Sequence, residues 1–199
     1  NLEAIAQLKV NQISDWRTAK QNEAAVITDS PYYIQIVTGW GKQPDVEKRE
    51  ILLRFEIHQN RYQTKDALLV STNGEVLLSL SQKADRLHEA SLKALEIAFR
   101  TQKPVVSDFY VAESESKPQL DVVAPFFIRR GNEVIPKNAF LYRYDPEHYL
   151  YPVIKNWPLP SRSAETILVR RDGDAVIDLM SLRHDGEKAF SLSFPLSRT

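Results

Sequence analysis

Two acidic residues stand where a sheet protein has little use for charge. Asp108 interrupts Val105-Val106-Ser107-Asp108-Phe109-Tyr110-Val111, and Asp121 interrupts Leu120-Asp121-Val122-Val123-Ala124. Both runs are apolar at alternate and intervening positions, as in strands covered on both faces. A carboxylate in such a strand needs hydrogen-bond donors or a cation, because unpaired burial costs several kcal/mol. Arg143, on the next apolar run (Ala139–Tyr144), is a cation within reach, since sequential strands tend to lie side by side. One reading of the pair is therefore a structural ion pair, or a capping contact at a loop end.

Other chemistry finds no constellation in this chain. It has no phosphate-cradling glycine loop, no G-x-S-x-G elbow and no H-E-x-x-H pair. His58, His88, His148 and His184 lie singly, and the absence of cysteine removes disulfides and thiolate metal sites. Asp172 and Asp174 flank Gly173 between two apolar runs, which is turn chemistry. No catalytic residue, metal or cofactor is expected.

The elements that would position these residues follow from periodicity. Residues 1–29 form one helix, with Leu2, Ala6, Val10, Ile13 and Trp16 as its apolar stripe and Glu3, Lys9, Asn11, Lys20 and Gln21 opposite. It either packs on its own domain or continues as a stalk that pairs in a dimer. Two helical pieces follow over 31–66, interrupted at Gly39 and Gly41. A hairpin is predicted over 67–80 around Asn73-Gly74, the strongest short hairpin signal. A helix over 81–100 precedes strands at 104–111, 119–128 and 139–144. A short helix starts near Asp145-Pro146, an N-cap followed by a proline with no amide hydrogen to lose. Strands at 166–171, 176–179 and 189–196 end the chain.

Composition bounds the partners. The 199 residues suffice for one large or two small domains, and Lys+Arg and Asp+Glu balance at 26 each. That balance gives no basic footprint for nucleic acid or an anionic membrane. No run of 18 apolar residues is present, so nothing here reads as a membrane span.

Phe140-Leu141-Tyr142-Arg143-Tyr144-Asp145-Pro146, Tyr149-Leu150-Tyr151-Pro152, Trp157-Pro158-Leu159-Pro160-Ser161-Arg162, Ala164-Glu165-Thr166 and Leu168-Val169-Arg170-Arg171-Asp172-Gly173-Asp174 together resemble one pattern. It is similar to the junction of the double-Cache (tandem PAS-like) extracytoplasmic sensor region of bacterial membrane-bound histidine kinases and diguanylate cyclases. The resemblance implies an α+β fold: a stalk helix over 1–30, then a membrane-distal PAS-like module over 31–160 with an antiparallel sheet flanked by helices. A smaller, incomplete membrane-proximal PAS-like module would occupy 161–199. It also implies a second reading of the acidic residues. Asp108, Tyr110, Asp121 and Arg143 would point into one small-ligand cavity under the 84–100 helix. The Tyr, Arg, Trp-Tyr and Asp set of amino-acid-sensing Cache domains is not recognisable here, so no amino-acid ligand is implied.

The expectation is a non-catalytic, ligand-sensing input domain on the periplasmic side of an inner-membrane receptor, homodimeric through its N-terminal helix. Its ligand is an unidentified small molecule, and nucleic acid is not a partner. The rival is a stand-alone small-molecule binding or scavenging protein, which has no need of an amphipathic stalk.

Overall fold

The computed structural model describes residues 2–83, 86–112, 117–156, 166–180 and 189–195. Its first element is one continuous helix, α1 (Leu2–Thr28), as the spacing predicts. The covered face is only partly the predicted one: Ile13 and Trp16 are half-buried, but the other stripe residues are not. Leu2 and Val10 are 75% and 57% exposed, whereas Lys9, expected in water, is 4% exposed. Long polar side chains lay their methylene stems on apolar surface while their heads find acceptors, which residue spacing alone does not register.

The chain forms two compact units, each assembled from separate segments: 18–108 with 120–144, and 1–17 with 109–119 and 145–199. In chain order the larger unit holds α2 (Pro31–Thr38), α3 (Pro44–Tyr62), β1 (Asp66–Ser71), β2 (Val76–Ser79), α4 (Glu89–Thr101) and β3 (Val105–Val106). Next come β4 (Tyr110–Val111), in the smaller unit, and β5 (Pro118–Arg130), which starts there. β6 (Glu133–Tyr144) returns to the larger unit. Its sheet runs β2-β1-β6-β5-β3, every neighbouring pair antiparallel.

Alternation along the strands gives this sheet two different faces. Leu68, Val70, Val123, Ala139 and Leu141 pack under Ala94, Leu95 and Ala98 of α4. Two alanines in that helical stripe let α4 lie close to the strands. The other face is aromatic: Phe140 meets Phe55 of α3, Phe126 and Tyr33 of α2 at ring centroid distances of 4.9, 5.0 and 5.9 Å. The β1–β2 hairpin turns at Asn73-Gly74 as predicted. Gly74 has φ +86°, and a Cβ there would run into the Leu92 side chain.

Three boundaries differ from expectation. The helix read over 81–100 begins at Glu89, with His88 as its cap: Nδ1 accepts the Ala90 amide at 3.1 Å. The strand read over 104–111 is two short strands, because the chain leaves the sheet at Ser107–Phe109. In the smaller unit α5 (Leu150–Lys155) starts later than Asp145-Pro146. The Asp145 carboxylate instead accepts the Glu147 amide at 2.9 Å, closing a side-chain turn two residues on.

The smaller unit pairs β4 with the start of β5 (Tyr110↔Gln119, Val111↔Pro118). Its other sheet is β7 (Val169–Asp172), β8 (Ala175–Asp178) and β9 (Ser193–Pro195), antiparallel in the order β7-β8-β9. Leu150, Tyr151, Ile154, Leu179 and Met180 are buried, and the Tyr151 hydroxyl donates to the Leu179 carbonyl. Lys9 Nζ donates to the carbonyls of Val153 at 2.8 Å and Asn156 at 2.6 Å, at the end of α5. Trp157–Arg162, Ala164-Glu165 and His184 lie outside the described residues.

Candidate functional site

Strand pairing brings Asp121 and Arg143 together: they are register partners across β5 and β6. Arg143 is also the partner of Asp66 across β1 and β6. Because partners share a face, Asp66, Arg143 and Asp121 form one polar row across three adjacent strands, on the side that α4 covers.

Asp121 is fully buried and well supplied with donors. Arg143 Nε donates to Oδ1 at 3.1 Å, and Nη2 lies 3.5 Å from Oδ2. The second distance is at the limit of a hydrogen bond, so the guanidinium holds the carboxylate mainly by one donor. Ser91, fully buried on α4, donates its hydroxyl to Oδ2 at 2.5 Å. The Asp121 backbone amide donates to Ser107 Oγ at 2.8 Å, and the Ser107 amide donates to the Asp121 carbonyl at 2.8 Å. The Arg143 side chain keeps 13% of its surface exposed, so the row reaches water through the cation and not through the acid.

Asp66 is held separately at the start of β1. Its Oδ1 accepts the amides of Ala67 (2.8 Å) and Ser81 (2.9 Å), and its Oδ2 the hydroxyls of Ser79 (3.1 Å) and Ser81 (2.6 Å). Four donors of its own can stabilise a buried carboxylate.

Of the four residues read from the sequence as one cluster, Asp121 and Arg143 are in contact. Asp108 is exposed, in the segment between β3 and β4. Tyr110 is buried at 3% exposure in the smaller unit, paired with Gln119. Sequence reasoning missed Asp66, Ser91 and Ser107. Asp66 had a readable signal, an acid directly before the apolar run Ala67–Val70. The two serines had none, since a small hydroxyl in a helix or at a strand end is unremarkable in sequence.

A second buried polar group lies on the aromatic face. His58 of α3 stacks on Tyr142, 3.8 Å between centroids at 16°. Burial, and then the charge of Lys20, push its pKa down to about 3. Its Nδ1 has no hydrogen-bond partner among the described residues, so it is a neutral packing ring. Burial also raises the Tyr142 and Tyr144 hydroxyls far above their ordinary range. Among the described residues no group of three or more His, Cys, Asp or Glu could hold a metal ion. The Ser91 hydroxyl lies beside the Asp121 carboxylate, but both are fully buried. The cluster offers a fixed charge pair set between a sheet and its covering helix.

No protein-family model and no curated protein matches the chain. Solved structures do match in fold. The sensory domain of the Campylobacter jejuni chemoreceptor Tlp3 (CcmL) aligns at a TM-score of 0.56 and 15% identity, over 78% of this chain and 63% of that one. The sensor domain of the V. cholerae histidine kinase DctB aligns at 0.52 and 11% identity, over 80% of this chain and 58% of that one. A domain of a sensory box/GGDEF family protein from Vibrio parahaemolyticus aligns at 0.51 and 11% identity, covering 94% and 91%. The chain thus spans somewhat less than two thirds of the first two domains and nearly all of the third. The fold is the mixed helix and antiparallel-sheet fold of these sensor domains, with its long N-terminal helix and helix-flanked sheet.

Proposed function

We propose that this chain is the extracytoplasmic ligand-sensing input domain of a transmembrane receptor of the histidine kinase or diguanylate cyclase type, with no catalysis of its own. One observation carries the reading: the overall fold, a helix-flanked antiparallel sheet with a long leading helix, is similar to that of a chemoreceptor sensory domain, a histidine kinase sensor domain and a domain of a sensory box/GGDEF family protein. The ligand is a small molecule, and Asp108, Asp121 and Arg143, all in the larger unit, are its proposed contacts. A structure of the Tlp3 sensory domain has isoleucine bound, which supports a small metabolite as the ligand class here. The described residues contain no helix long and apolar enough to cross a membrane, so the anchor of the proposed receptor is not among them.

Dimerisation through α1 belongs to the same reading. Leu2 and Val10 of the predicted stripe are exposed apolar residues on that helix, which suits a partner helix and which a scavenging protein does not need. The ligand would act by its differential affinity for two states of the domain, and by no more than that difference.

A thermal-shift screen of amino acids, dicarboxylates, amines and short peptides tests the proposal. A ligand at about 100 times its Kd adds about 2.7 kcal/mol of stability, a shift of several degrees. At least one compound should raise Tm in the wild type, and Asp108→Ala should abolish that rise while leaving the unliganded Tm unchanged. A screen with no hit at millimolar concentration would sink the sensing role.

A further inference from the structure

The outer face of α3 carries a self-complementary pattern. At about 100° per residue, Ile51, Phe55 and His58 fall together on one side of the helix, and all three are buried. Directly opposite stand Val46, Leu53 and Ile57, exposed at 47%, 46% and 48%. Measured from Leu53, Val46 and Ile57 lie about 20° and 40° to one side, and Arg49 and Glu56 about 40° and 60° to the other. Arg49 and Glu56 are exposed, and among the described residues neither forms an ion pair within its own chain. The same face borders a groove of about 270 Å³ between α3 and the edge strand β2, lined by Lys48, Leu52, Val76 and Leu78.

We propose that this face binds the same face of a second copy of the chain, with the two α3 helices antiparallel about a two-fold axis near residue 52. An axis perpendicular to the helices keeps each flank against its own equivalent, as an isologous contact requires. Val46 then lies opposite Ile57 of the second copy, and the two Leu53 side chains meet beside the axis. Arg49 falls opposite the second copy's Glu56, and symmetry makes that attraction twice. This contact is separate from the α1 seam and does not depend on what the domain senses.

Sedimentation equilibrium of the full chain carrying Val10→Glu, which silences α1, isolates the contact. Arg49→Glu and Glu56→Arg should each weaken self-association by about tenfold or more, because two weak attractions become two repulsions. The double reversal should restore it. The chain has no cysteine, so single cysteines report the geometry. Leu53→Cys should cross-link on oxidation, Ile57→Cys should not, and Val46→Cys combined with Ile57→Cys should. A monomer at every concentration in the Val10→Glu background overturns the proposal. So does a double reversal no better than either single change, or efficient cross-linking through Ile57→Cys alone.

Discussion

Removing the Asp121 carboxylate should be among the most damaging single changes in this chain, and removing its cation as well should undo much of the damage. Asp121→Ala leaves the fully buried Ser91 hydroxyl without its acceptor, a loss of about 1 kcal/mol or more. It also leaves the Arg143 guanidinium, only 13% exposed, beside an empty position; breaking such a pair costs about 3–5 kcal/mol. The sum, about 4–5 kcal/mol after allowing for water at the open edge, is a large part of the ordinary stability of a domain. Arg143→Met alone should cost about 3 kcal/mol, since the buried acid then loses its cation. The double variant should be less damaged than the two losses added together, with a coupling of about 2–3 kcal/mol. Urea unfolding followed by tryptophan fluorescence measures all four corners of the cycle. If the two losses add within about 0.5 kcal/mol, the ion pair contributes nothing to stability.

Acid should expose His58. Its folded pKa, about 3, lies below the unfolded value near 6.5, so the unfolded chain binds the extra proton first and stability falls as pH drops through that window. The wild type should lose up to about 1.4 kcal/mol per pH unit between pH 6 and 5 from this group, and His58→Phe, which keeps the stack on Tyr142, should flatten that slope; equal slopes would refute it. Lys9→Met should leave the carbonyls of Val153 and Asn156 unmet and raise hydrogen exchange across 150–156, with β1 unchanged as the internal control. Val10→Glu should lower the mass of the chain at high concentration in a sedimentation run, and unchanged mass would return α1 to its own domain.

What could be read from the sequence was local or directly cross-strand. Asn73-Gly74 specifies its turn through a positive φ, and Asp121 with Arg143 follows from acid and base on successive strands. The rest depended on distances along the chain that periodicity does not carry. Ser91 meets Asp121 across 30 residues, because alanines at 94 and 98 let α4 settle on the sheet. Lys9 meets carbonyls more than 140 residues away and was assigned to the solvent side for its charge. The false helical start at 81 arose because Leu87 extends the apolar period backwards past the His88 cap, where the amide hydrogen bonds change partner.

The polar row across β1, β6 and β5 also limits how the sheet can be misassembled. If β6 slipped by one residue, Arg143 would cross to the aromatic side beside Phe55 and Phe126, and Tyr142 would take its place between Asp66 and Asp121. A slip of two residues would keep the faces but set Arg143 between Leu68 and Val123, and would bring Asp145 opposite Asp121 in its place. Leucines and valines on those strands tolerate any of these registers about equally well, since one methyl group substitutes for another. A lone guanidinium set between two acids does not, and every wrong alignment strands a charge in a dry layer at a cost of several kcal/mol. The ion pair thereby acts as a selector during folding, rejecting near-native sheets that hydrophobic packing alone would accept.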